Sequence, residues 1–357
     1  MHRFKYSIEF NDSKRTVNKY YYDYSQTKDI NVKIGNNFAL VEFVMTRYYN
    51  KEDFVNLSCG VFKDAYRKIY LAHVFLYGKT FKFKKIKISI QKGIEIEQFT
   101  IEKELMSSLL SDKFKCRILF SKNLIDKIMN QPQYKINEDM CFCSAQSYLY
   151  GCEKENEIDI FSNYWTSLNA MYSYRSKMIV EESKRIINFK KATTPRITDS
   201  VSIFIAIHLL NGNDLSGEEY KKYNEVKKDK QLIKSFEKKL ENVPVEDFCK
   251  IYSYAEEMRI ADYKDGLFKQ INQSLEDRGV HFLGFILYLY PYHYRCEYVH
   301  GSLSLPIICA HNDFVLHSLK FMNYCLNRYL ENEIPKIPFE KMNINENEAK
   351  GVYNLLK

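Results

Sequence analysis

Phe161-Ser162-Asn163-Tyr164-Trp165-Thr166-Ser167-Leu168-Asn169-Ala170-Met171-Tyr172 is the stretch that decides the fold. Phe161, Trp165, Leu168 and Tyr172 recur at steps of four, three and four residues. That spacing places them on one side of a helix. An apolar stripe of this kind, with polar residues around it, needs other elements to cover it. The helical period continues from Ile158 almost to the end of the chain, so the larger part reads as a bundle.

Ile203, Ile207 and Leu210 mark a second helix, closed by Asn211-Gly212. Between Gly217 and Glu241, residues Val226, Leu232, Ile233, Phe236 and Leu240 form a narrow buried stripe. The lysines and glutamates around them read as a solvated helix face. Pro244 ends that segment, and two amphipathic helices come next, over Glu246 to Arg259 and Asp262 to Glu276. The apolar run Phe282 to Tyr290 leads to Pro291, then to a short helix carrying Arg295 and His300, with Gly301 as its terminator. Pro306 blocks continuation. A last helix from Ile307 to about Glu331 uses Phe314, Leu316, Leu319, Phe321, Leu326 and Leu330 to close the bundle.

The N-terminal part reads differently. Ala39 to Val44 and Phe62 to Tyr77 are buried or amphipathic segments, punctuated by Gly78. Thr80 to Gln91 alternates like a strand, with Phe81 and Phe83 in one phase and Ile86, Ile88 and Ile90 in the other. Such a slip predicts a bulge, or a strand whose ends bury opposite faces. Lys82, Lys84, Lys85 and Lys87 mark it as a charged edge strand. Lys19-Tyr20-Tyr21-Tyr22 reads as a further strand rather than a base-stacking patch. The polar segment Asn130 to Lys135 separates this part from the helical remainder of the chain. The expected class is mainly α: a helical bundle at 155–335, preceded by a smaller mixed α+β domain at 1–135 and a connector at 136–154. The stretch after Asn332 carries two prolines and no obvious core, and 336–357 reads as a C-terminal tail.

With 357 residues, 45% of them apolar and 27% charged, the chain has the composition of a folded protein of about two domains. Its net charge of +8 permits an anionic partner without demanding one. Nine cysteines, odd in number and irregularly spaced, read as reduced thiols rather than a secreted disulfide framework. Cys141-x-Cys143 with Cys152 lacks the second pair that a zinc finger needs. The start Met1-His2-Arg3-Phe4-Lys5-Tyr6 opens no signal-peptide core, and Phe282 to Tyr290 falls short of the roughly 20 apolar residues of a membrane helix. A cytoplasmic protein without membrane contact is expected.

The chemistry concentrates in Tyr294-Arg295-Cys296-Glu297-Tyr298-Val299-His300-Gly301. Arginine is a permanent planar cation that grips a phosphate through two nitrogens, and histidine moves protons near neutral pH. Five positions apart, Arg295 and His300 stand about 140° from each other on an ideal helix. Either the arginine swings round, or two copies of the helix face each other and share a cleft, which predicts a homodimer. The structural alternative is an Arg295 paired with a carboxylate such as Glu297 and a histidine that satisfies a helix-end carbonyl.

Arg295-x4-His300-Gly301, late in a helical domain, resembles the Arg-x4-6-His signature of the HEPN superfamily of ribonucleases. The aromatic stretch Phe161 to Tyr172 is similar to the first helix of abortive-infection, phage-defence members. The resemblance covers roughly residues 155–335. It implies endonucleolytic RNA cleavage at a composite site of two such domains, with His300 as general acid or base, Arg295 stabilising charge on phosphorus, and no metal or other cofactor. It further implies a setting in antiviral defence or toxin–antitoxin pairing, with an antitoxin or a phage-derived trigger as partner. Two positions depart from the pattern: Cys296 stands where Asn, Asp or His commonly comes after the arginine, and Asn169 where the first helix often carries an acid. Those departures define the alternative, a catalytically silent helical module that binds RNA or another protein.

Overall fold

In the computed structural model, which describes residues 3–10, 18–22, 30–34, 39–77, 81, 83–105, 135–188, 197–211, 215, 217–257, 268–299, 313–339 and 342–356, the chain is mainly helical with a mixed α+β N-terminal part. It divides into two units, Met1–Leu149 and Tyr150–Lys357.

In the first unit, six strands form one antiparallel sheet: β1 (Phe4–Phe10), β2 (Asn18–Tyr22), β3 (Ile30–Ile34), β4 (Ala39–Met45), β5 (Lys85–Lys92) and β6 (Glu95–Glu102), in the order β2-β3-β4-β1-β5-β6. Ile8 stands opposite Val41 on one side and Ile88 on the other, so the apolar residues of three strands share one face. Helices α1 (Lys51–Val55) and α2 (Gly60–Tyr77) supply Phe54, Phe62 and Tyr66 to that core. Phe10 lies 6.2 Å from the Phe62 ring and 6.0 Å from Tyr66.

The segment at 80–91 departs from its reading. The strand begins only at Lys85, and Phe81 and Phe83 precede it, packing 5.8 and 5.3 Å from Phe10. Phe10 is itself paired with Ile86, so both phases of the pattern reach one core, and they do so without opposite faces. Nor is β5 an edge. It lies between β1 and β6, with Lys85 opposite Glu102 and Lys92 opposite Glu95, pairings that place opposite charges across the ladder. The stretch read as a connector, 136–154, is largely helix: α3 (Lys135–Glu153) buries Ala145, Tyr148 and Leu149 along one stripe.

The second unit is built on α4 (Glu157–Ile187), 31 residues and so about 46 Å long. Asn156 caps its start by accepting from the Ile158 and Asp159 amides, and Asn188 ends it in the left-handed region at φ 47°. Phe161, Trp165, Leu168 and Tyr172 are all buried, as their spacing requires. Around α4 come α5 (Asp199–Asn211), α6 (Gly217–Lys228), α7 (Lys230–Leu240), α8 (Phe248–Glu257), α9 (Lys269–Glu276), α10 (Phe282–Gly284), α11 (Tyr290–Val299), α12 (Asp313–Glu333) and α13 (Glu346–Leu355). A π-helical turn, Phe285–Leu289, joins α10 to α11, so the apolar run is helical into the segment with Arg295 rather than cut off at Pro291. Tyr290 donates to the Phe285 carbonyl five residues back, and this wider register directly precedes the proline that lacks an amide proton.

Two expectations for the C-terminal region need correction. Leu316 is 37% exposed and does not join the apolar stripe of α12, which Leu319, Phe321, Leu326 and Leu330 form. The tail has a core: Ala349 and Val352 of α13 are buried, and the helix packs on α4. Pro335 and Pro338 sit in the short 3-10 helix Ile334–Phe339, whose Ile334 and Ile337 are buried. Gly351 lets α13 also approach the backbone at Leu215, between α5 and α6, because a Cβ there would clash with the Leu215 carbonyl oxygen. Gly351→Ala is expected to destabilise the protein by about 1–3 kcal/mol, outweighing the gain of about 1 kcal/mol in helix propensity. A lower urea midpoint would show it. No described helix is long and apolar enough to cross a membrane.

Candidate functional site

Aromatic contacts fix α11 against α4. Tyr294 packs edge-on to Phe161 at 5.6 Å, Tyr292 lies 6.2 Å from Trp165, and Tyr288, in the π-helical turn, lies 6.4 Å from Tyr172. Residue numbers fall along one helix as they rise along the other, so the two run antiparallel. This anchoring leaves Arg295 half-buried at the border of the core, near Tyr172 and Tyr292. Burial raises the Tyr292 phenol most, with the Cys296 thiol and the Asp199 carboxylate adding to it and the Arg295 guanidinium opposing. Tyr172 is likewise raised by burial first and by Asp199 next, with Arg295 again opposing.

A second cation approaches the same ring. Lys227 on α6 holds its Nζ 4.4 Å from the centre of Tyr292 and donates to Ser200 Oγ at 2.7 Å. Burial lowers its pKa, while Cys296 and Asp199 pull the other way. One turn earlier on α6, Tyr223 is buried and its hydroxyl has no hydrogen-bond partner among the described residues. A buried hydroxyl left in that state costs about 1–3 kcal/mol. Asp199, the first residue of α5, is exposed and is the carboxylate that bears on both Tyr292 and Lys227.

No known protein family, curated protein or solved structure matches this chain. The site therefore rests on its own geometry.

Among the described residues, Arg295 has no hydrogen-bond or ion-pair partner. Cys296 is half-buried, one turn after Tyr292 on α11, and its thiol adds to the rise of the Tyr292 phenol. Asn169 is half-buried, lies on the same stripe of α4 as Trp165 and Tyr172, and accepts a 3.2 Å hydrogen bond from Ser173 Oγ. Glu297 belongs to α11, and its side chain lies outside the described residues, as do His300 and Gly301 altogether. The structure thus brings Arg295, Cys296 and the Asn169 face of α4 to neighbouring helices and leaves the partner histidine undescribed.

Lys227, Tyr223, Tyr292 and Asp199 were missed in the sequence. Lys227 lies in a block of charges that reads as solvent-facing, yet it comes directly after buried Val226 and stands four residues after buried Tyr223. That i, i+4 spacing from a tyrosine was the available signal. Chemically, two cations beside one tyrosine make a place for an anion. Arginine supplies two parallel donors and lysine a compact point charge.

Proposed function

We propose that this protein is a metal-independent endoribonuclease of the HEPN type, cleaving RNA through Arg295 and His300 at a site shared by two copies of the chain. The observation that carries the reading is Arg295: half-buried, close to Tyr172 and Tyr292, and unpaired among the described residues. Among the described residues no carboxylate pairs with it directly, and a half-withdrawn cation in that state is a place where an anionic substrate offsets the cost of lost hydration.

RNA carries its own nucleophile. The 2′-oxygen attacks phosphorus as the bond to the 5′-oxygen breaks; a base takes the 2′-proton and an acid delivers one to the leaving oxygen. His300, one position beyond the helical Val299, serves as base in one copy and acid in the other. Arg295 neutralises the charge that grows on the non-bridging oxygens. The setting that suits such an enzyme is antiviral defence or toxin–antitoxin pairing.

A second reading has support in the departures. Asn169 is engaged by Ser173, and Cys296 sits half-buried one turn after Tyr292, so both face the fold, as in a silent RNA- or protein-binding module. Purified protein incubated with mixed RNA in EDTA separates the two. The nuclease leaves 2′,3′-cyclic phosphate and 5′-hydroxyl ends; cleavage that appears only with added Mg²⁺ overturns the mechanism, and intact RNA favours the silent module.

A further inference from the structure

We propose that Lys227 holds a second phosphate of a single-stranded RNA, next to the one taken by Arg295, so that α6 as well as α11 forms the substrate track. The inference rests on the RNA reading above and extends it to a helix outside the signature that suggested it.

Four observations converge. Lys227 is half-buried, lying against the Tyr292 ring at 4.4 Å, with the neutral Ser200 hydroxyl as its hydrogen-bond partner among the described residues. Its position is therefore fixed, and among the described residues no carboxylate pairs with it directly. Tyr292 is shared: Arg295 comes three residues after it on α11, on the same side of the helix, and opposes the rise of its pKa, while Lys227 lies against the ring itself. Among the described groups that bear on Tyr292 or on Lys227, Arg295 and Lys228 are cationic and Asp199 is the carboxylate. Finally, Tyr223, one turn before Lys227 on α6, is buried with its hydroxyl lacking a partner among the described residues, so an unmet polar group lies on the Lys227 face of that helix. Cations interleaved with aromatic side chains are the usual means of tracking a single strand without reading its sequence.

The test is equilibrium binding of a fluorescent oligoribonucleotide, 2′-O-methylated throughout so that its own nucleophile is blocked, by the full chain at several salt concentrations. Wild type, Lys227→Met, Lys227→Arg and Ser200→Ala are compared after thermal melts show them folded. Methionine keeps an apolar stem against Tyr292 and removes the charge. Lys227→Met is expected to weaken binding for every sequence alike and to flatten the dependence of log K on log salt by about 0.7, the loss of one phosphate contact on a single strand. Lys227→Arg should restore the slope, and Ser200→Ala should keep it.

An unchanged slope in Lys227→Met overturns the inference and leaves the nuclease reading to the cleavage assay. A Lys227-dependent slope in a protein that cuts no unmethylated RNA upholds the phosphate site and removes the nuclease. Failure of wild type to bind the oligonucleotide overturns the site outright.

Discussion

Arg295→Ala is expected to slow RNA cleavage by roughly 10²–10³-fold, the loss seen when one donor aimed at developing charge is removed, or about 2.7–4 kcal/mol of transition-state stabilisation. The bundle should stay folded. Arg295 has no described hydrogen-bond or ion-pair partner, so its removal strands no described carboxylate, and the contacts that seat α11 are made by Tyr292 and Tyr294. Arg295→Lys keeps the charge but loses the planar pair of donors, and should fall between the two. The check is kcat/KM on a defined RNA beside a thermal melt. Undiminished cleavage by a folded Arg295→Ala protein would remove the residue from the site.

The other large effect concerns stability. Arg175 on α4 is 6% exposed and donates to the Tyr329 hydroxyl at 2.9 Å and to the Glu333 carboxylate, both on α12. Tyr329 in turn meets the Tyr288 hydroxyl at 2.7 Å, so one network ties α4, α12 and the π-helical turn ahead of α11. Arg175→Ala should cost about 2–3 kcal/mol, because it removes two hydrogen bonds from a buried cation and leaves largely buried Glu333 with only the exposed Lys336 as its ion-pair partner among the described residues. Burial on its own would raise the Glu333 carboxyl, but Arg175 and Lys336 outweigh it and hold the group below the usual range.

A carboxyl whose folded pKa lies below its unfolded value of about 4.3 contributes stability that is full above that value and is lost as pH falls through the folded pKa. The penalty of Arg175→Ala should therefore be largest near neutral pH and shrink in acid, measured by urea unfolding at both. Equal loss at the two pH values would show that packing, rather than charge, carries the contact. Pairing Arg175→Met with Glu333→Leu should recover most of the stability.

Phe161, Trp165, Leu168 and Tyr172 were legible because one long helix buries one stripe, and burial at a fixed period leaves a direct trace in sequence. The same holds for Val226, Leu232, Ile233, Phe236 and Leu240, which bury two helices separated at Asp229. What escaped was set by neighbours distant in the chain. β6 is an edge strand whose Ile94 and Ile96 flanks are exposed, so no alternation marks it; it is fixed by pairing with β5. α13 is short, comes after two prolines, and is held by packing on α4 and by the close approach of Gly351 to Leu215, contacts invisible to local pattern. In the candidate site, Arg295 was legible as a residue type at a telling place. Lys227 was not, because whether a lysine faces water or a tyrosine ring depends on which helix packs beside it.

The central claim is that His300 and Arg295 cut RNA without a metal. Its most direct test compares wild type with His300→Ala, both shown folded, on a mixed RNA pool in EDTA, reading the amount cut and the chemistry of the new ends. The account predicts cyclic-phosphate and 5′-hydroxyl ends from wild type and a loss of about 10²-fold or more in the variant. Equal cleavage by both proteins, or no cleavage by either, would contradict it.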